Sequence, residues 1–556
     1  MTLRGTYDFS YSERSPYGHA VSLIRETVRA GGIVLDLGCG FGAIADAVTE
    51  AGFVYVGADI DTVGVEAIAE RGFESHLLDL QSDDLADRIV ALVDGREVGA
   101  ITLLDVIEHI ADSAGLLDDV KAASAKMAHP NLIVSVPNVG HIDLAAKLVV
   151  GRWDISESGL LDRTHLQLFT EKRLLDMLGP RGWVQVAERD FTLARSDQHF
   201  PAELPTLAPG TPLHELLLEI RSAADDTTHV NQFVRSFVLR EQPPPEPSAA
   251  PPFAYDLSVI VRTQGHRHAS LMELLTCLAA QTVDSFEILL TVHSSESDVF
   301  EEVQALVDSF DFGFARRVRL IHVVGGSRGR PLNVGLAATR GRYVAFVDDD
   351  DLVTADWVEQ FTLGAAVAPG RIIRSITVER EVRQPLAGEI GAATIIEGPL
   401  KFTFSPTFDF VEHFFANSTP ICAFAVPAAL LSALRIRFDE HVTVQEDWHF
   451  LMRCASYAGV HDTGAITAIY HRWATAVGSR ATIGEDVWRA ARDLVLHEFD
   501  TRPVVLPPGA VRSIIAFRTE LEQFRVGEPS DETTLLLATL QETQTALAHE
   551  RGMAEQ

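Results

Sequence analysis

Apolar and polar positions along the chain fall into a repeated order. A short run of Val, Ile and Leu is followed by a turn and then by apolar residues at helical spacing. Runs at residues 33–37, 54–58, 75–78, 100–104 and 132–136 predict strands, with helices predicted at 43–51 and 63–70. Runs at 184–187 and 233–239 complete this first set. A second set follows, with predicted strands at 257–261, 287–292, 317–324 and 343–347 and predicted helices at 271–281, 299–310 and 333–339. Such alternation predicts α/β domains. The two sets share no motif, so they predict two different domains rather than a repeat.

Between them lies QPPPEPSAAPPFAYD, residues 242–256. Proline fixes φ and has no N–H to donate, so this stretch reads as a semi-rigid spacer. The predicted organisation is a domain over 1–241, the spacer 242–256, a domain over 257–500 and a helical tail over 501–556. In the tail, Leu536, Leu537, Leu540 and Leu547 have helical spacing within 533–550. Such a helix packs on its own domain or serves self-association.

Composition narrows the picture. The chain has 556 residues, of which 47% are apolar and 22% charged, as in globular proteins. Its formal charge of −32 repels nucleic-acid backbones and anionic lipid, so no nucleic acid partner is expected. Cys39, Cys277, Cys422 and Cys454 are scattered, with no CxxC pair, and read as free thiols in a reducing cytoplasm. The N-terminal stretch lacks the apolar core of a signal peptide. No run reaches the ~18 apolar residues of a membrane span, so no transmembrane segment is expected.

Candidate chemistry in the first set begins at IVLDLGCGFG, residues 33–42. A strand carries Asp36, then Gly38, Gly40 and Gly42, then a helix. Glycines let the backbone turn tightly and approach a ligand, and a helix start offers free N–H groups. The acid ahead of the glycines disfavours a pyrophosphate and favours an ammonium or sulfonium. Together with the acid in GADID, LLDL and LLDVIEHI, this stretch resembles the class I S-adenosylmethionine-dependent methyltransferases over residues 17–240. The resemblance implies a Rossmann-like, seven-stranded sheet. It further implies that Asp36 and the glycines line the methionine moiety, that Asp59 holds the ribose hydroxyls, that Asp79 faces the adenine amino group and that Asp105 begins the loop nearest the methyl. Asp61 reads as a helix N-cap. GLLDRTHLQLFT, residues 159–170, resembles a segment of methyltransferases acting on sugars and polysaccharides, which makes His165 the candidate base. His109 and His141 are weaker candidates. A first domain that binds S-adenosylmethionine without turnover is the alternative.

In the second set, YVAFVDDDDLV, residues 343–353, ends an apolar strand in four carboxylates. Ligands of α/β sheets bind at the carboxyl ends of strands, and a hard divalent cation would reverse the repulsion among these acids. The stretch 325–357, with LSVIVRTQG before it and VQEDWHF at 444–450, resembles inverting family 2 glycosyltransferases of the GT-A fold over 256–473. That resemblance implies a nucleotide-diphosphate sugar donor, a glycan or glycolipid acceptor, and Mg²⁺ or Mn²⁺. Asp348, Asp349 and Asp350 form its DXD motif, with Asp348 meeting ribose or metal and Asp350 ligating metal. Asp351 braces the loop. Thr263, Arg328 and Asn333 line the nucleotide pocket, Arg328 as a phosphate partner. Asp447 is the general base, supported by Glu446, and Trp448 walls the acceptor site with 417–427. His471 is a further metal or phosphate contact. The second strand ends in His293 where relatives place an aspartate, which leaves the nucleotide open.

Overall fold

The computed structural model describes residues 11–199, 207–240, 253–383, 394–474 and 483–526. The expected leucine-bearing helix at 533–550, and any self-association through it, lie outside the described residues, as does the spacer up to residue 252. The chain divides into two compact units between Ala249 and Ala250. The second sheet starts at Tyr255, so the last two residues of the expected spacer are strand.

The first unit is one sheet built from β1 (Ile33–Leu37), β2 (Val54–Asp59), β3 (Glu74–Leu77), β4 (Val98–Leu104), β5 (Asn131–Pro137), β6 (Trp183–Glu188), β7 (Phe191–Thr192) and β8 (Val230–Leu239). The order is β3-β2-β1-β4-β5-β8-β6, with the two-residue β7 added to β8 beyond the seven strands expected. β1 to β5 run parallel and β8 antiparallel. A central parallel strand is covered on both faces, so it must be apolar throughout. Every residue of β1 is buried, and Asp36 is its single polar exception. The chain leaves β1 toward β2 and β3, then returns to lay β4 and β5 on the other side. That reversal opens a crevice at the carboxyl ends of β1 and β4.

The second unit contains β9 (Tyr255–Thr263), β10 (Phe286–His293), β11 (Val318–Val323), β12 (Gly341–Asp348), β13 (Leu352–Val353), β14 (Ile372–Arg383), β15 (Ile395–Ile396), β16 (Phe424–Pro427) and β17 (Val460–Trp473). Their order is β11-β10-β9-β12-β16-β14-β17-β13, with β15 on β14. β9 to β12 are parallel, and the order reverses between β9 and β12. In that register Asp348 stands beside Arg262. Helix Glu446–Ala458 starts from Gln445, whose φ of 62° turns the chain so that Glu446 and Asp447 open the helix. Among the described residues no helix is long and apolar enough to cross a membrane.

Close packing holds the glycine loop of the first unit from behind. Gly64, in helix Thr62–Glu70, lies so near that a Cβ would stand 2.4 Å from the carbonyl oxygen of Gly40. The variant Gly64→Ala is expected to cost about 1–3 kcal/mol through overpacking. Thermal unfolding should show the transition of the first unit lowered and that of the second unmoved.

Candidate active sites

The crevice of the first unit is a cavity of about 1080 Å³. Asp36, Gly38, Gly40, Asp59, Asp79, Asp105 and His165 all line it. Gly40, at φ 52°, has nothing within 4 Å of where a Cβ would stand, and its N–H donates to Asp59 Oδ2 at 2.7 Å. Asp59 Oδ1 accepts from the N–H of Asp61 at 2.8 Å. Asp61 caps helix Thr62–Glu70 by accepting from the N–H of Val63. Gly42 is absent from the lining; a Cβ there would press on Ile68 at 2.9 Å, so this glycine serves helix packing. Asp36 accepts from Thr102 Oγ1 at 2.6 Å and Tyr55 Oη at 2.9 Å. Burial raises its pKa to about 6 even so.

Asp105 sits just after β4 at φ 57°, a conformation that costs a non-glycine residue energy and is found at functional sites. Four hydrogen bonds determine where it sits. The N–H of Asp105 is held by Ser135, and its carboxylate accepts from Ser135 Oγ, Gln232 Nε2 and Tyr17 Oη. Beyond it the short turn Ile107–His109 carries Glu108 and His109 into the lining. His109 and His165 meet edge to face at 4.9 Å between ring centroids. Burial lowers the pKa of both rings, and the neighbouring His109 lowers that of His165 further. His141 is buried elsewhere, accepting from the N–H of Asp143 to cap helix Ile142–Val149.

In the second unit Arg262 organises the acids. Its Nε and Nη2 donate to the two carboxylate oxygens of Asp348, each at 2.8 Å, and its Nη1 donates to Glu446 Oε1 at 2.7 Å. One guanidinium thus ties the end of β12 to the start of the helix that carries Asp447. Burial pushes the pKa of Asp348 up, but Arg262 pulls it further, below its ordinary value. Arg267 pairs with both Asp349 and Asp350, and Trp473 Nε1 donates to Asp350 Oδ2 at 2.8 Å. Asp351 is buried and accepts from the N–H of His471 at 3.1 Å. Asp447 is half-buried; its Oδ1 accepts from its neighbour Trp448 N at 2.8 Å and its Oδ2 from Asn417 Nδ2 at 3.3 Å. Burial and the charges of Glu446 and Asp348 raise its pKa to about 6.

Several expected pocket residues are occupied by the protein itself. Thr263 is buried, with its hydroxyl donating to Asp349 Oδ2 at 2.5 Å and accepting from Gly265 N. Asn333 clamps a loop, donating to Phe438 O at 2.9 Å and accepting from Phe438 N at 2.8 Å. His293 ends β10 with Nε2 at 3.0 Å from Gly325 O. Arg328 is half-exposed, its Nε 3.3 Å from Glu446 Oε1. Among the described residues Asp348, Asp350 and His471 do not bring three ligand atoms together. Asp348 is paired with Arg262 and Asp350 with Arg267, a different cation for each acid. A hard divalent ion arriving with a diphosphate needs only one or two carboxylates, and Asp350, with Oδ1 outside these bonds, fits that demand.

Sequence reasoning missed Arg262, Arg267, Trp473, Tyr17 and Gln232. For Arg262 a signal existed, namely a lone cation closing an apolar strand beside a strand that ends in acids. The others come from segments whose proximity only folding creates.

Residues 11–188 match the family model of a methyltransferase domain, and residues 258–370 match that of glycosyl transferase family 2. The chain therefore carries a methyltransferase domain in its first unit and a family 2 glycosyltransferase domain in its second. It is 29% identical over 109 residues to the putative glycosyltransferase EpsH of Bacillus subtilis (strain 168), covering 19% of this chain and 30% of that protein. It is 29% identical over 90 residues to a ubiquinone biosynthesis O-methyltransferase of Psychrobacter arcticus, covering 16% and 35%. The chain spans about a third of the length of the curated relatives it matches. Solved structures similar to it include S. aureus TarS 1–349 in complex with UDP-GlcNAc, at 18% identity over 44% of this chain and 71% of that one, TM-score 0.33. Another is magnesium protoporphyrin IX methyltransferase of Synechocystis PCC 6803 with bound SAH, at 13% identity over 43% and 92%, TM-score 0.28.

Arg262 neutralises two acids at once, so its loss should be costly. The variant Arg262→Met is expected to destabilise the second unit by about 3–5 kcal/mol, because Asp348 and Glu446 are left without their cation. Chemical denaturation of the full chain checks this, and an unchanged midpoint contradicts it.

Proposed function

We propose that the chain is a bifunctional enzyme of glycan biosynthesis. Its second unit transfers a sugar from a nucleoside-diphosphate donor to an acceptor hydroxyl, with inversion at the anomeric carbon. Its first unit transfers a methyl group from S-adenosylmethionine to a sugar hydroxyl. The observation that carries this reading is the gathering of acids, in each unit, at the carboxyl ends of strands where the strand order reverses.

In the second unit Asp447 takes the proton of the acceptor hydroxyl as its oxygen attacks the anomeric carbon. The bond from that carbon to the diphosphate breaks, and its electron pair leaves with the diphosphate oxygen. Asn417 and the N–H of Trp448 hold the base in place. A pKa near 6 leaves Asp447 ionised at neutral pH yet basic enough to accept a proton. Arg328 and Arg267 offer positive charge to the leaving group. Mg²⁺ or Mn²⁺, when bound with the donor, adds positive charge against that diphosphate. Nδ1 of His293 is left to meet an edge of the nucleobase.

In the first unit S-adenosylmethionine supplies an electrophilic methyl on a sulfonium centre. Asp36 faces its ammonium group, Asp59 its ribose hydroxyls and Asp79 its adenine amino group. The open space above Gly40 admits the backbone-hugging part of the ligand. No Lys or Arg lines the cavity among the described residues, so a cationic ligand meets no fixed positive side chain there. His165, held neutral by burial, can take a proton or lend its lone pair to an electrophile. Free thiols at Cys39, Cys277, Cys422 and Cys454 support a reducing compartment, the cytoplasm. The tether raises the local concentration of one site near the other.

Asp447→Asn is expected to lower kcat for nucleoside-diphosphate release by about 10²–10⁴. Because the acid form of Asp447 cannot accept the proton, wild-type turnover should fall about tenfold per pH unit below pH 6. Initial rates over a donor panel check both, and a rate unaffected by the substitution removes Asp447 from the mechanism. With labelled S-adenosylmethionine, label is expected in the glycosylated product. Label appearing only in an unrelated molecule would refute a shared pathway.

A further inference from the structure

We propose that the first unit holds a divalent metal ion between Glu108, His109 and His165, at the end of the cavity beside Asp105. One ligand atom of each of the three lies within 4.8 Å of the other two. The site is assembled from two segments distant in sequence. Glu108 and His109 follow β4, whereas His165 lies in a loop zipped onto them. The N–H groups of Leu166 and Gln167 donate to the backbone oxygen of Glu108 at 2.7 and 2.9 Å. Outer contacts orient the rings, as expected around a metal. Nδ1 of His109 lies 3.1 Å from Thr164 Oγ1, and that hydroxyl donates to Asp162 Oδ1 at 2.7 Å. The ring of His165 lines the cavity and meets that of His109 at 4.9 Å between centroids.

Glu108 supplies the independent observation. It is 1% exposed, and neither carboxylate oxygen has a hydrogen-bond partner. A buried acid in that state is costly whether ionised or not, since both forms lose bonds they had with water. Seven carboxylates line the cavity (Asp36, Asp59, Asp61, Asp79, Asp105, Glu108 and Asp162) without one Lys or Arg among the described residues. A cation at Glu108 would give these oxygens the partner the chain withholds. Two neutral imidazoles with one carboxylate suit Mn²⁺, Fe²⁺ or Zn²⁺, and three protein ligands leave positions open on the cavity side.

An open position there would hold the acceptor hydroxyl and make it more acidic. The hydroxyl then sheds its proton to solvent, its oxygen bonds the methyl carbon, and the carbon–sulfur pair stays on sulfur. In this role His165 is a metal ligand and not the base. That consequence rests on the proposed methyl transfer; the binding of the ion does not.

The test uses the full chain carrying Asp350→Asn, which removes the candidate oxygen ligand of the second unit. Mn²⁺ binding is measured by equilibrium dialysis, and its ligands are read by electron spin echo modulation from ¹⁴N. Expected are one bound Mn²⁺ with imidazole ¹⁴N couplings, and an affinity at least about tenfold weaker in each of Glu108→Gln, His109→Ala and His165→Gln. Bound Mn²⁺ without ¹⁴N coupling overturns the proposal from that one protein, whatever the variants do. So does an affinity unchanged in all three variants. Circular dichroism and thermal unfolding tell whether each variant is folded, and S-adenosylmethionine binding is measured separately by calorimetry. Its absence in the wild type would refute the methyltransferase reading while leaving the metal site standing.

Discussion

A carboxylate taken out of water must find a positive partner or give up its charge, and both units are arranged around that constraint. In each, strands that have to be apolar deliver acids to the carboxyl edge of a parallel sheet. The second unit answers from within the chain. Arg262 satisfies Asp348 and Glu446, and Arg267 satisfies Asp349 and Asp350. The first unit does not answer from within. Asp36 is bonded only by hydroxyls, Asp105 by hydroxyls and an amide, and Glu108 by nothing among the described residues.

The two answers have different consequences for ligands. Where arginines already pair with the acids, the site has its shape before any donor arrives, and Asp350 Oδ1 stays outside those bonds. Where the acids lack internal cations, the cavity keeps a lining without fixed positive charge among the described residues. Backbone strain supports both arrangements. Asp105 at φ 57° and Gln445 at φ 62° sit at the two turns that deliver acids into the sites, and Ser135 bonds Asp105 in that conformation.

Much of the fold was legible because doubly covered strands leave no room for polar residues. The runs at β1, β5, β9, β10 and β12 stand out for that reason. β14 and β17 did not stand out. IIRSITVEREVR and VHDTGAITAIYHRW mix charge with apolar residues, yet they form a long parallel pair. Their polar groups are paid for by distant partners, as when buried Arg374 reaches Asp462 at 2.7 Å and Thr419 at 2.8 Å. Site residues divide the same way. Asp36, Asp59 and Asp348 announce themselves by ending or interrupting apolar strands, whereas Thr263 and Asn333 looked like pocket residues and turned out to be bonded to the chain itself.

By itself the sequence determined the two α/β series, the glycine loop and the acids at strand ends, since burial on both faces and local turn geometry act within a few residues. Only the tertiary structure decided which charge meets which. Arg262 reaches Asp348 across 86 positions and Glu446 across 184, and His165 reaches Glu108 and His109 through a loop laid back on β4. Electrostatic energy depends on separation and on exclusion of water in space, neither of which is written in the order of residues along the chain.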